Sequence, residues 1–154
     1  MTAPAKHPMT VTAAVMAPAI MYALDTTIAN VALPHMQGSL SATHDQIAWV
    51  LTSYIVASAI MTAPTAWLSA RLGRRNYFIF AVIGFTVASG LCGAAQSLEQ
   101  IVAFRILQGI FGASLIPISQ AILLDTYPPA KHGSAMATWR AGVLLGPILA
   151  PPRG

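Results

Sequence analysis

Two charged side chains lie inside hydrophobic stretches of this 154-residue chain, Asp25 in the first stretch and Arg105 in the fourth. A carboxylate or guanidinium at the centre of a lipid bilayer costs about 2.5–3.5 kcal/mol even on the mildest insertion scale. Residues of this kind within a membrane usually serve ion pathways, proton relays or substrate contacts. The pair therefore predicts proton or substrate chemistry inside a membrane, with Asp25 as the protonatable group.

The depths of the two charges can be compared along their helices. Asp25 precedes Pro34 by about 13 Å of helix, and Arg105 follows Glu99 by about 9 Å. If the first and fourth helices face each other, the two side chains form an ion bridge or a water-linked contact. A conformational change that alters this contact would also alter proton binding. A static structural ion pair is the alternative, particularly for Arg105, which does not lose its proton.

Polar side chains accompany both charges. Tyr22, Thr26 and Asn30 flank the acidic residue of the first stretch, and Gln108 lies one turn after the basic residue of the fourth. Residues three or four apart share one face of a helix. These four residues are candidates for lining a substrate cavity, and packing with hydrogen bonds between helices is the alternative.

Composition indicates an all-α membrane protein. Hydrophobic residues make up 56% of the chain and charged residues 8%, whereas soluble domains carry about 25% charged residues. The basic residues are too few and too scattered for nucleic acid. Since the chain contains neither a GxxxxGK[ST] phosphate loop nor a GxSxG or HExxH motif, we expect no ATP-driven transport, no enzyme and no cofactor. His35, His44 and Asp45 share a short loop without the spacing of a tetrahedral metal site, so we expect no metal.

Five hydrophobic segments follow a tail at residues 1–10. Two helix starts carry capping-box patterns, Thr43 with Gln46 and Ser97 with Gln100. The fifth segment is interrupted by Arg140, and the chain stops soon after it. We therefore predict a partial helical bundle over residues 11–154, with about four complete transmembrane helices and an incomplete fifth, as the front part of a longer protein or a truncated product. The predicted helices span residues 11–33, 46–68, 77–95, 98–124 and 134–152.

The basic residues outside the predicted spans fall in alternate connections and therefore on one side of the membrane. Lysine and arginine concentrate in the cytoplasmic segments of membrane proteins. The tail and the connections after the second and fourth segments carry them, whereas the other two connections carry none. The pattern predicts a cytoplasmic N-terminus and rests on Lys6, Arg71, Arg74, Arg75 and Lys131.

Four motifs, in order, resemble those of one transporter family. They are LDTTIANVALP at 24–34, RLGRR at 71–75, IVAFRILQGIFGA at 101–113 and AGVLLGPIL at 141–149. On these motifs the chain resembles the N-terminal part of the major facilitator superfamily, specifically the fourteen-helix drug:proton antiporter family of EmrB/QacA type. Ala70 departs from the pattern, because the family usually has Asp there as the acidic partner of the loop arginines.

The resemblance implies two six-helix bundles with alternating access in the bacterial cytoplasmic (inner) membrane. It implies proton-coupled multidrug efflux, that is, export of drugs or other hydrophobic or cationic small molecules. The implied partners are the lipid bilayer, the substrate, protons, and a periplasmic adaptor protein or the missing C-terminal half. A truncated, non-transporting membrane fragment or assembly partner is the alternative.

The resemblance also assigns residues to two further motifs. The cytoplasmic loop motif comprises Arg71, Gly73, Arg74 and Arg75. The antiporter motif, a kinked helix seam that limits leak, comprises Gly142, Gly146 and Pro147.

Overall fold

The computed structural model describes residues 7–39 and 41–149, and within these ranges it contains helices and no strand. A single 3₁₀ turn at Pro129–Lys131 precedes the last helix. The helices are α1 (Pro8–Ser39), α2 (His44–Leu72), α3 (Arg74–Ala94), α4 (Leu98–Gly112), α5 (Leu115–Thr126) and α6 (His132–Leu149).

Four stretches are long and apolar enough to cross a membrane, with α4 and α5 forming one of them. The last helix, α6, has 18 residues and contains Pro147. The predicted fold class, an all-α membrane protein with about four complete spans, is confirmed. Residues 1–6 of the predicted tail and residues 150–152 of the predicted fifth helix lie outside the described ranges. The four spans are Pro8–Ala32, His44–Leu72, Arg74–Ala94 and Leu98–Thr126.

Helix α1 is longer than the sequence predicts. It begins at Pro8 and continues through Pro34 to Ser39, so His35 is helical and not part of a loop. Proline removes one N–H group and disfavours a helical residue before it, which is why the predicted helix stops at residue 33. Membrane helices nevertheless tolerate internal prolines, because neighbouring groups satisfy the freed carbonyl.

The connection between α2 and α3 is reduced to one residue, Gly73. The predicted loop from 69 to 76 is therefore almost entirely helical, and the arginines of the loop motif stand on helix ends. Gly73 has a φ of 81°, a conformation that glycine adopts without the steric penalty of a side chain. This single residue ends one helix and starts the next.

The fourth predicted helix is interrupted at Ala113–Ser114, between α4 and α5. Pro117 lies four residues after Ala113, so it cannot donate to the Ala113 carbonyl, and its ring clashes with that carbonyl in a regular helix. The helix resumes with a bond from the Ile118 N–H to the Ser114 carbonyl. The proline thus explains the break inside one membrane span.

Both predicted helix caps form. The Thr43 hydroxyl accepts from the Gln46 N–H, and the Gln46 side chain accepts from the Thr43 N–H, which confirms the capping box. Ser97 likewise accepts from the Gln100 N–H. The Gln100 side chain reaches one residue further than predicted and accepts from the Gln96 N–H.

The spans that follow one another in the sequence run antiparallel, so α2 and α4 begin at the same end of the bundle. At one end, the Thr12 hydroxyl lies 2.9 Å from the Tyr127 hydroxyl, and Arg74 pairs with Asp125. At the other end, Ile47 packs with Ile101. Helix α4 lies against α2 and α3, while α1 lies against α5 and α6.

The outward faces of α2 and α3 are apolar. Large hydrophobic side chains are exposed there, and the buried core contains Phe85, Leu115 and Leu123. An exposed apolar belt on helices of spanning length fits contact with lipid tails. The exposed side chains include Ile55, Val56, Ile60, Trp67, Phe80, Ile83 and Val87.

The close contact between α2 and α4 depends on Gly109. A Cβ atom there would lie 2.5 Å from the Tyr54 carbonyl oxygen, which is backbone and cannot rotate away. We therefore expect Gly109→Ala to force the helices apart and to lower the free energy of unfolding by about 1–3 kcal/mol. Denaturant titration of the chain in detergent micelles, followed by circular dichroism, measures this loss. Gly90→Ala is the matched control, because nothing lies within 4 Å of its Cβ position; equal stability of the two variants would contradict the packing argument.

Candidate functional site

The candidate site lies where α1 to α4 converge, and we call its five side chains the polar cluster. The first helix contributes Asp25, the second Tyr54, the third Cys92, and the fourth Arg105 and Gln108. Arg105 and Gln108 lie three residues apart and so share one face of α4. Four helices thus place their polar groups at one point within the predicted spans.

An ion pair between α1 and α4 forms the centre of the polar cluster. The Arg105 Nη1 atom donates to the Asp25 Oδ2 atom over 2.8 Å. The two side chains are 10% and 15% exposed, respectively. Burial makes either charge costly by itself, whereas together they are neutral and hydrogen-bonded. The structure therefore brings together the two residues that the sequence places at similar depth.

Gln108 links the guanidinium of α4 to Cys92 of α3. The Gln108 Oε1 atom accepts from Arg105 Nη1 at 3.0 Å and from the Cys92 Sγ atom at 3.7 Å. Gln108 is completely buried, so it does not line an open cavity in this conformation. Its proposed cavity role would require the helices to move.

Aromatic rings pack beside the guanidinium of the polar cluster. The Arg105 guanidinium carbon lies 5.8 Å from the centre of the Tyr54 ring, within cation–π range. Tyr22 lies beside Tyr54 and Phe85, with ring centres 6.3 and 6.0 Å apart. The sequence analysis did not identify Tyr54 and Cys92 as residues of the polar cluster. Tyr54 has no charged neighbour in the sequence, and a single cysteine is usually a packing residue.

Several donors of the polar cluster have no partner among the described residues. They are Arg105 Nε, Gln108 Nε2 and the Tyr54 hydroxyl. Such groups are rare in folded proteins and call for a specific explanation, functional or structural. Chemically, the arrangement offers one carboxyl group that can gain or lose a proton beside one permanent cation.

The two remaining cavity candidates of α1 form hydrogen bonds with their own helix. The Thr26 hydroxyl donates to the Ala23 carbonyl, and the Asn30 side-chain amide donates to the Thr26 carbonyl, each over 2.9 Å. Asn30 is exposed, and Thr26 and Tyr22 are half-buried. Their role in a substrate cavity stays a prediction.

The loop arginines find partners that differ from the family pattern. Arg74 pairs with Asp125 at the end of α5, although Ala70 replaces the usual acidic residue. Arg71 lies 5.2 Å from the Trp67 ring centre, and Arg75 is exposed. Sequence reasoning missed Asp125; the signal was an acidic residue ending a hydrophobic segment on the arginine side.

The antiporter motif packs on α1. A Cβ atom at Gly142 would collide with the Met16 side chain, and one at Gly146 would lie 2.5 Å from an Ile20 methyl group. Pro147 lies within α6. The glycines thus permit a close contact between α1 and α6, as small residues do in membrane helix pairs.

The bundle also has an apolar groove that is separate from the polar cluster. A groove of about 510 Å³ opens between α1, α3 and α5, with apolar walls and Arg75 at its edge. None of the polar-cluster residues lines this groove. Within residues 7–39 and 41–149, no group of three His, Cys, Asp or Glu side chains is placed to hold a metal ion.

Comparison with known proteins establishes the family. The model of the Major Facilitator Superfamily matches residues 16–154. Because that match covers most of the chain, the protein belongs to the Major Facilitator Superfamily. With four apolar helices of spanning length, it is an integral membrane protein.

The names of individual relatives refer to multidrug export, multidrug resistance or fatty acid resistance. Multidrug export protein EmrB of Escherichia coli K12 is 45% identical over 134 residues, which are 87% of this chain and 26% of that protein. Fatty acid resistance protein FarB of Neisseria gonorrhoeae is 47% identical, with the same coverage. Probable multidrug resistance protein EmrY of E. coli K12 is 40% identical over 94% of this chain and 28% of that protein. The chain spans about a quarter of the length of these curated relatives.

The ion pair predicts strong coupling between its two members. Arg105→Gln leaves the Asp25 carboxylate buried without a counter-charge, so we expect a loss of about 3 kcal/mol in the free energy of unfolding. Adding Asp25→Asn removes the orphaned charge, so the double variant should be more stable than the sum of the single effects predicts, by about 1–3 kcal/mol. Denaturant titration of the four proteins in micelles gives the coupling energy. Purely additive losses would show that the two side chains do not interact.

Proposed function

We propose that these residues belong to a secondary active transporter that exports drugs or other hydrophobic or cationic small molecules in exchange for protons. The observation that supports it is the contact between Asp25 and Arg105, which joins two membrane spans through one titratable group. The proposed activity is transport and not catalysis. It is proposed for a complete facilitator that carries these residues.

The proposed coupling follows from the electrostatics of the pair. While Arg105 donates to Asp25, the guanidinium stabilises the carboxylate. A movement that separates α1 from α4 would leave the carboxylate without its counter-charge in surroundings of low dielectric constant, where the neutral acid is favoured. Proton uptake would then accompany the movement, and a cationic substrate would compete with the proton for the same carboxylate. This competition is what exchange of the two requires.

The names of the relatives support the substrate class. EmrB is named a multidrug export protein and FarB a fatty acid resistance protein. The first name refers to drugs and the second to fatty acids, which have long apolar chains. We therefore propose a hydrophobic small molecule as the substrate of this protein.

Two kinds of partner belong to the proposal. Facilitators move two halves about a central site near the bilayer midplane, so we propose that these helices act together with a C-terminal half. The periplasmic adaptor protein implied by the resemblance is a second proposed partner.

The coupling role is tested by Asp25→Asn in a chimera in which this chain replaces the matching quarter of E. coli EmrB. The probe is a fluorescent compound that unmodified EmrB is first shown to export. Since asparagine cannot exchange a proton, we expect the variant to lose export driven by a pH gradient. Efflux from cells with and without the gradient is the measurement.

The control for this experiment is Asp45→Asn, the same chemical change at an exposed position in the first turn of α2. It should leave gradient-driven export intact. Undiminished export by the Asp25→Asn chimera, at equal amounts in the membrane, would remove Asp25 from the mechanism.

We also propose that the N-terminus lies in the cytoplasm of a bacterial cell and that the helices cross its cytoplasmic (inner) membrane. In support, Arg71, Arg74, Arg75 and Lys131 occupy the end of the bundle at which α1 begins, following the usual cytoplasmic bias of basic residues.

Thiol labelling tests this orientation. With the single cysteine removed by Cys92→Ala, Gln96→Cys places a thiol at the end of the bundle opposite to Ala130→Cys. A membrane-impermeant maleimide added to spheroplasts should label the first variant, and the second only after lysis. The reverse pattern would place the N-terminus outside.

A further inference from the structure

One nitrogen of Arg105 makes the hydrogen bonds to both Asp25 and Gln108. Its Nη1 group has two hydrogens, of which one meets Asp25 Oδ2 at 2.8 Å and the other meets Gln108 Oε1 at 3.0 Å. The Nε atom of the same guanidinium has no partner among the described residues. Asp25 and Gln108 are therefore the two hydrogen-bond acceptors that fix the guanidinium.

Gln108 is a polar side chain in a fully buried position. It is completely buried, and its Nε2 donor has no partner among the described residues. A buried amide that is only half satisfied is costly, and an apolar side chain of the same size would avoid that cost. The Oε1 atom, in contrast, accepts from both Arg105 and Cys92. The residue is thus placed as an acceptor for the guanidinium, held between α3 and α4.

The two acceptors differ in whether they can change. Asp25 can take up a proton, after which it is a neutral and weaker partner. The Gln108 amide does not titrate and remains an acceptor throughout. Without Gln108, a guanidinium beside the protonated acid would keep only this weaker contact and the ring face of Tyr54, 5.8 Å from its central carbon.

We propose that Gln108 is a positioning residue that holds the Arg105 guanidinium in place while Asp25 carries a proton. This inference rests on the proposed function for its purpose, because a fixed guanidinium lets the carboxylate return to the same partner after releasing the proton. It assigns to Gln108 a role within the helix bundle and not in a substrate cavity. Cys92 supports the amide through its weak contact with Oε1.

Nitrogen-15 NMR of the arginine side chains tests the proposal without any transport assay. Rotation about the Nε–Cζ bond exchanges the two Nη nitrogens, so a guanidinium held by hydrogen bonds gives separate signals and a free one gives an averaged signal. The chain has only six arginines, which allows assignment in lipid nanodiscs. In the Asp25→Asn variant, which mimics the protonated acid, we expect the Arg105 signals to stay separate.

Adding Gln108→Leu to the Asp25→Asn variant removes the amide acceptor and should merge the Arg105 signals. If the leucine variant does not fold, Gln108→Asn in the same background should have the same effect, because its side chain is one methylene shorter. Gln108→Glu in the same background keeps an acceptor at the same reach and should restore separate signals. Unchanged signals of Arg74, whose partner is Asp125, report an intact fold.

Averaged signals in Asp25→Asn alone, or separate signals that persist with both Gln108→Leu and Gln108→Asn, would overturn the positioning role. A different experiment tests the proposed coupling of transport to protons. Undiminished export by the Asp25→Asn chimera would refute proton coupling through Asp25 and leave the NMR result unaffected.

Discussion

The permanent charge of Arg105 is the constraint on which the arrangement of the four spans depends. A guanidinium cannot shed its proton, and within a bilayer it must find a counter-charge or reach water. Asp25 supplies the counter-charge from α1, so a side-chain ion pair links α1 to α4. The glycines that follow Arg105 let other helices approach the same segment, with Tyr54 of α2 against Gly109 and Phe85 of α3 against Gly112. The same stretch of α4 therefore carries both the buried charge and the glycines that permit close packing.

Proline and charge divide the bundle into regions with different properties. The polar cluster lies on α4, before the break that Pro117 causes between α4 and α5. Beyond that break, α5 carries Asp125 to the basic end of the bundle, where it meets Arg74. Proline is a common cause of such a break within a helix. Arg105 of the polar cluster therefore lies on α4, whereas Asp125 of the basic end lies on α5 of the same span.

Much of this architecture follows from local sequence signals, because those signals act over one or two helical turns. The caps at Thr43 and Ser97 depend on residues three positions apart, and the similar depth of Asp25 and Arg105 follows from helical rise. The partner of Arg74 and the burial of Gln108 could not be predicted in this way. Both depend on how helices rotate and pack against each other, which spacing along one helix does not determine. The break at Ser114 was in principle accessible from Pro117, but prolines are tolerated within membrane helices.

We propose that the Asp25 carboxyl exchanges a proton as substrate binds. The most direct test is to count protons released when an exported compound is added to the purified EmrB chimera, using a pH indicator in weakly buffered detergent solution. We expect proton release from the chimera with Asp25 and none from the chimera with Asp25→Asn, although both bind the compound. Equal release from the two proteins would refute proton exchange at Asp25, because the proton would then come from another group.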